Sequence, residues 1–320
     1  MLILKFGALG DIVLSTPLIR AIIKHHHPSP VDLIIPPEFA PLFSSWKHLA
    51  LHEIPRYGMR NMFKMLKVMK QLGYCRIYDL QSNSRSRMLC ALSGIKEKVG
   101  NHPIFPYTHH PQERWEGQSH IFLRMRYMLK QAGIQTEETH PFLPGAPATV
   151  DAIRAWIEIS IRPTKHFVLL HAGASPKRPE KKWPFFSDLA LKLLEKDFDV
   201  VWIGGSADKD LNEELSAGCG INATNQFSIL ELAELGRHAA FAVTNDSGPM
   251  HVLSASAIPV FGIYGPSDWR RNHALLQSNR VITPPNIGGE QKSTSSLEQD
   301  ITTITPKMVL ERLKRENLIP

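Results

Sequence analysis

Short apolar runs alternate along the chain with longer stretches whose apolar positions recur at helical spacing. LILKF (2–6) reads as a buried strand, and DIVLSTPLIRAIIKHH (11–26) as a helix with Asp11 at its start. VDLIIP (31–36), LHEIP (51–55) and CRIYDLQ (75–81) read as further strands. MRNMFKMLKVMKQLG (59–73) and SRSRMLCALSG (84–94) read as helices, the second stopping at Gly94. Residues 101–119, rich in His, Pro and aromatics, have no clear period and read as a long loop. HIFLRMRYMLKQAG (120–133) returns to helical spacing.

HPFLPGAPATV (140–150), with three prolines and a glycine, reads as an interdomain linker. Beyond it the alternation resumes. HFVLLHAG (166–173), DVVWIGG (199–205), FAVTND (241–246) and VFGIYG (260–265) are strands, and helices are expected near 184–197, 208–217, 228–238, 247–257 and 305–317. NIGGEQKSTSSLEQ (286–299) reads as a mobile loop near the ligand cleft. Strands alternating with helices predict parallel sheets in an α/β fold. Two such units make two facing Rossmann-like domains with a ligand cleft between them, ligands sitting at the carboxyl ends of the strands.

Charge changes the picture in one respect. The 320-residue chain carries a formal net charge of +7, and residues 1–150 supply all of it, with 18 Lys/Arg against 10 Asp/Glu. Ten of the 15 His also lie there. The first half is therefore expected to face an anionic partner: nucleic acid, a membrane surface or an acidic glycolipid. The three cysteines, Cys75, Cys90 and Cys219, form no C-x-x-C pair. That fits a reducing cytoplasm rather than a disulfide framework or zinc site. Met1 leads straight into an apolar strand, so no signal peptide is expected, and no apolar run is long enough to span a bilayer.

Four strand ends carry the chemistry. TNDSGPMH (244–251) passes from a strand into a helix through Asp246, Ser247 and Gly248, with His251 one turn on. Free amides and dipole at a helix start suit a phosphate, although Asp and Ser there also serve as plain N-caps. HAGASPKRPEKKWP (171–184) brings Gly173, Lys177, Arg178, Lys181 and Lys182 to another strand end, either for a diphosphate or as a solvated basic loop. WIGGSADKD (202–210) places Asp208 and Asp210 at a helix start, where a carboxylate can hold ribose. The D-x-D spacing also suits a metal, but acids in a first helical turn are common for dipole reasons. KFGALGDI (5–12) sets Gly7 and Gly10 before Asp11, placed either as a general base or as an N-cap. His25, His26 and His27 close a helix and read as a solvated cationic end. No G-x-S-x-G, H-E-x-x-H or P-loop lysine motif is present.

Together these stretches resemble glycosyltransferase family 9, the heptosyltransferases of lipopolysaccharide inner-core assembly. The resemblance runs from ILKFGALGDIVLSTPLIRAI through HAGASPKRPEKKWP and TNDSGPMH to YGPSD and ITPKMVLERL. It implies a GT-B fold: an acceptor-binding domain at 1–145, a nucleotide-sugar-binding domain at 146–305, and a terminal helix, 306–320, packing back on the first. It implies inverting transfer from ADP-heptose with no cofactor and no metal. Asp11 matches the family's catalytic base and Lys181 the lysine that holds the donor diphosphate. Asp246, Ser247 and Gly248 match the phosphate turn, and Phe227 falls where an apolar side chain packs on adenine. Lys209 stands where the family has its ribose acid; here the acids flank it, at Asp208 and Asp210.

The acceptor implied is an acidic glycolipid, lipid A–Kdo with its inner core. That places the protein in the cytoplasm of a Gram-negative bacterium, in transient contact with the inner leaflet of the inner membrane and with no nucleic-acid partner. Arg85 and Arg87, in QSNSRSR, are the expected acceptor contacts. The other readings are a GT-B transferase using another nucleotide sugar, an epimerase of the same architecture, and a non-enzymatic protein binding anionic ligands.

Overall fold

The computed structural model describes all residues except 114–118, 138, 164 and 286–299, so the expected loop at 286–299 lies outside the described residues. The chain divides into two compact units, Met1–Phe142 and Leu143–Pro320, within the Pro-rich linker and three residues before position 145.

The first unit runs β1 (Leu2–Leu4), α1 (Leu9–His26), β2 (Val31–Ile35), β3 (Leu49–Glu53), α2 (Met59–Gln71), β4 (Arg76–Asp79), α3 (Ser84–Leu92), β5 (Glu97–Val99) and α4 (Ile121–Gln131). Its sheet has the order β3-β2-β1-β4-β5, with each pair parallel. Leu2, Leu4, Ile34 and Ile77 pack with Met65 and Met69 of α2 and Leu89 of α3. Pro17 lies inside α1 and cannot donate to the carbonyl of Val13. The Thr16 hydroxyl donates to that oxygen instead, at 2.7 Å.

One of the closing histidines departs from the sequence expectation, whereas His25 and His27 are exposed. His26 is not a solvated cation: its Nε2 lies 2.8 Å from the Tyr78 hydroxyl, and Arg76 donates to the same phenol oxygen at 3.2 Å. Arg76 can only donate to that oxygen, and its charge beside the ring disfavours a protonated His26. Burial, then the charges of His25 and Arg76, lower the His26 pKa from 6.5 to about 4. The unfolded chain therefore takes up this proton first as pH falls. Stability should be fully present above pH 6.5 and decline as pH drops toward about 4. Urea melts across this window, compared with His26→Gln, test it; a variant with the same acid slope would refute the assignment.

The second unit runs α5 (Pro147–Ser160), β6 (His166–His171), α6 (Phe186–Leu194), β7 (Phe198–Trp202), α7 (Lys209–Gly218), β8 (Ile221–Asn222), α8 (Ile229–Gly236), β9 (Ala242–Asn245), α9 (Gly248–Ser254), β10 (Val260–Ile263), β11 (Val281–Ile282) and α10 (Pro306–Arg315). The sheet order is β11-β10-β9-β6-β7-β8, again with parallel pairs. Alternate residues of β6 serve opposite faces. Val168 and Leu170 pack with Trp183, Phe186 and Leu193, whereas Phe167 and Leu169 pack with Ile153, Met250 and Leu253.

Helix α5 begins inside the stretch read as linker, with Pro147 at its first position, where a missing N–H costs nothing. Val309 and Leu313 of α10 belong to the second unit's own core, with Trp183 and Phe186, and the Trp183 indole donates to Ile304 O at 2.7 Å. Among the described residues, no helix is long and apolar enough to cross a membrane.

Candidate active site

In each sheet the strand order reverses once, and ligands of open α/β sheets bind at the carboxyl ends of the strands beside such a reversal. In the second unit this is between β6 and β9. His171 ends β6 and Asn245 ends β9, so both chemistry-bearing stretches, HAGAS and TNDSG, emerge there.

Asn245 fastens the two. It is buried, its amide donates to Ala172 O at 2.8 Å and Gly173 O at 3.2 Å, and its carbonyl accepts from Trp183 N at 3.1 Å. The KKWP segment is thereby tied to the strand ends. Of the four cations expected at that strand end, Lys177, Arg178 and Lys182 are exposed. Lys181 alone is drawn inward: its ammonium donates to Asp246 Oδ2 at 2.5 Å.

Asp246 is a hub of three donors. Besides Lys181, Ser267 Oγ donates to Oδ2 at 2.7 Å and Asn272 Nδ2 to Oδ1 at 2.8 Å. Expected among the diphosphate ligands, this carboxylate is 6% exposed and acts as an acceptor for neighbouring side chains. Like charge makes it a poor direct partner for a phosphate; what its geometry does is aim Lys181. Ser267 and Asn272 were not found from the sequence. Ser267 lies in the YGPSD stretch, and Asn272 carries no local signal.

Ser247 occupies the N-cap position of α9, yet its side chain makes no capping hydrogen bond. Its hydroxyl lies 3.1 Å from His171 Nδ1 and donates to Asn245 O at 3.2 Å. The plain N-cap reading therefore fails. Helix α9 is shorter than expected, seven residues, and Pro249 removes one of its first-turn amides. Gly248 opens it, and His251 is buried on it at 4% exposure.

His171 links Ser247 to Asp208, whose Oδ2 lies 3.5 Å from His171 Nε2. The Asp208 carboxylate also accepts from Gly205 N at 3.0 Å. Burial pushes its pKa up, but the His171 bond and charge, the Gly205 amide and Lys182 outweigh burial and hold it below the ordinary carboxylate value. Asp208 thus faces the protein interior, whereas Asp210, in the first turn of α7, is exposed. The two acids of D-K-D do not turn to one point. Among the described residues no cluster of three or more His, Cys, Asp or Glu could hold a metal ion.

Gly173 has a specific reason to be glycine. A Cβ there would lie 1.9 Å from Asp208 Oδ1. Gly173→Ala should push Asp208 off Gly205 and His171, at a cost of about 1–3 kcal/mol. A thermal melt checks this; an unchanged melting temperature would show that the carboxylate has other room. Phe227, half-buried ahead of α8, stands edge-on to Trp156 with ring centroids 5.0 Å apart.

In the first unit the reversal lies between β1 and β4. Phe6 N donates to Gln81 Oε1 at 2.8 Å, joining the loops that leave these strands. Gly10 is buried at the start of α1, and Asp11 follows half-exposed in its first turn. The N-cap is Ala8, so Asp11 is not the cap, and among the described residues no hydrogen bond engages its carboxylate. Behind it sits a residue not found from the sequence. Lys5 is 1% exposed, and its ammonium donates to Leu80 O at 2.9 Å. Burial lowers the Lys5 pKa, and the charges of Asp11 and Asp79 act against that fall.

Gly7 has φ +118, a left-handed value suited to glycine, and the Arg56 guanidinium lies 3.0 Å from where its Cβ would be. Arg85 donates to Arg56 O and stands 5.7 Å from the Tyr57 ring. Arg87 is half-buried on the same helix, which is capped by a reciprocal Asn83–Ser86 box.

A family model described as glycosyltransferase family 9 (heptosyltransferase) matches residues 62–302. Lipopolysaccharide heptosyltransferase 2 of Escherichia coli strain K12 is 24% identical over 352 residues, covering 95% of this chain and 94% of that one. The solved E. coli ADP-heptose LPS heptosyltransferase II superposes with a TM-score of 0.76 at 22% identity, over 98% of each chain. The glycosyl transferase family 9 structure from Veillonella parvula DSM 2008 gives 0.78 at 19% identity, over 99% of this chain and 96% of that one. Both superpositions give the chain the GT-B fold.

Proposed function

Because this chain belongs to glycosyltransferase family 9, the heptosyltransferase family, we propose that it moves heptose from ADP-heptose to the inner core of lipopolysaccharide. The observation that carries the donor half is the Lys181–Asp246 pair at the β6/β9 reversal, fixed by Ser267 and Asn272. It holds a cation at a strand end where a diphosphate binds in folds of this class.

The step is an in-line displacement. An acceptor hydroxyl attacks the anomeric carbon on the face opposite the diphosphate, and its configuration inverts. Asp11 takes the hydroxyl proton. The C–O bond to the diphosphate breaks, and its charge grows on leaving. Lys181 meets that charge, with the Ser247 hydroxyl and the amides at Gly248 and Met250, so these groups stabilise the transition state more than the ground state. No metal is assigned to the step, since Lys181 supplies the positive charge.

Of the two acids, Asp210 is the one free to hold the ribose hydroxyls, because Asp208 is engaged with His171 and Gly205. Phe227 offers its ring to the adenine. Arg85 and Arg87 take the acceptor's phosphates or carboxylates, and the protein works at the inner leaflet, where such a glycolipid lies.

The test is transfer itself, with ADP-heptose and a heptose-free lipid A–Kdo acceptor in the presence of a chelator. Mass spectrometry should find one heptose added, and NMR the inverted anomer. Transfer with retained configuration, or only after metal is restored, would refute the mechanism. No transfer from ADP-heptose alongside transfer from another nucleotide sugar would refute the donor.

A further inference from the structure

Helix α2 has two apolar faces. One is ordinary: Met65 and Met69 are buried, and Met62 and Leu66 pack partly against the same core. The other points away from it. Met59 is 70% exposed and Phe63, one turn on, 62%, with Tyr57 just before the helix at 65%. Large apolar side chains at such exposure, in one contiguous stretch, mark an interaction surface rather than scattered exposure.

The charges on that surface define its partner. Between Arg56 and Leu72 the chain has Arg56, Arg60, Lys64, Lys67 and Lys70 and not one Asp or Glu. Arg60, Lys64, Lys67 and Lys70 are exposed along with Met59 and Phe63. A protein partner's interface is typically depleted in lysine. Aromatics and methionine interleaved with Lys and Arg alone instead fit the boundary between headgroups and acyl chains of an anionic bilayer.

Position adds a third point. Tyr57 lies under the Arg56 guanidinium at 4.5 Å, and Arg56 in turn lies against Gly7, in the loop that leads to Asp11. One end of the surface thus adjoins the loop of the proposed base. We infer that the exposed face of α2, with Tyr57, lies on an anionic phospholipid bilayer, its apolar side chains below the headgroups and its lysines among the phosphates. This rests on the proposed function only for its purpose, which is to bring the Asp11 loop to an acceptor anchored in that bilayer.

Vesicle sedimentation tests it, with neither donor nor acceptor present. The full chain should bind vesicles of phosphatidylethanolamine containing a quarter phosphatidylglycerol, and bind pure phosphatidylcholine at least about tenfold more weakly. The Met59→Ser/Phe63→Ser double variant and the Lys64→Glu/Lys67→Glu double variant should each lose about tenfold or more in partitioning. Both should keep the wild-type melting temperature and full turnover on a deacylated, soluble acceptor. No binding to acidic vesicles, or binding retained in either variant, would overturn the inference. So would dimerisation abolished by Met59→Ser/Phe63→Ser without vesicle binding, which would assign the face to a second copy. Turnover on soluble acceptor is read separately, so failure of the transferase assignment and failure of this surface are distinct results.

Discussion

Asp11→Ala is expected to lower turnover by about 10²-fold or more while ADP binds nearly as before. The carboxylate is half-exposed in the first turn of α1, does not cap the helix, and among the described residues accepts no hydrogen bond. A residue placed there only for the helix dipole would contribute about 0.3–1 kcal/mol to stability and nothing to turnover. The two roles separate cleanly in one pair of measurements, single-turnover kinetics and a melt. Near-normal turnover in a variant with a lowered melting temperature would remove Asp11 from the chemistry.

The second large effect is at Asp246. Asp246→Ala removes the acceptor shared by Lys181, Ser267 and Asn272. The Lys181 side chain is only 16% exposed, so its charge would be left partly buried and unpaired. The expected loss is about 3–5 kcal/mol of stability, together with most of the donor affinity. Lys181→Met should lose donor affinity with far less destabilisation, because a neutral side chain leaves no stranded ammonium. The double variant should be more stable than Asp246→Ala alone, a coupling that a double-mutant cycle measures directly. Additive effects of the two changes would mean that Asp246 does not act through Lys181.

The sequence was most legible where burial dictates pattern. β1, β6, β7, β9 and β10 are covered on both faces, and each announced itself as a continuous apolar run. Helix α5 was hidden because Pro147, which starts it, also looks like a linker residue. β8 and β11 are two residues each, too short to carry a period.

The site divides the same way. The placing of Lys181 and the Asp246 turn after strands was legible, since cations, glycine and hydroxyls stand out against the apolar runs that precede them. Their supports were not. His171 reads as one more strand residue, Asn272 as a loop polar, and Lys5 as a stray charge in an apolar strand; only the tertiary fold shows what each touches. The two acids beside Lys209 are equivalent in sequence. They differ because Asp208 fills the space left by Gly173 while Asp210 stays outside.

Calorimetric titration with ADP, UDP, GDP and CDP, with and without chelator, tests the central claim most directly. The account predicts a clear preference for ADP that the chelator does not disturb and that Lys181→Met abolishes. A preference for UDP or GDP, or binding that demands Mg²⁺ or Mn²⁺, would contradict it.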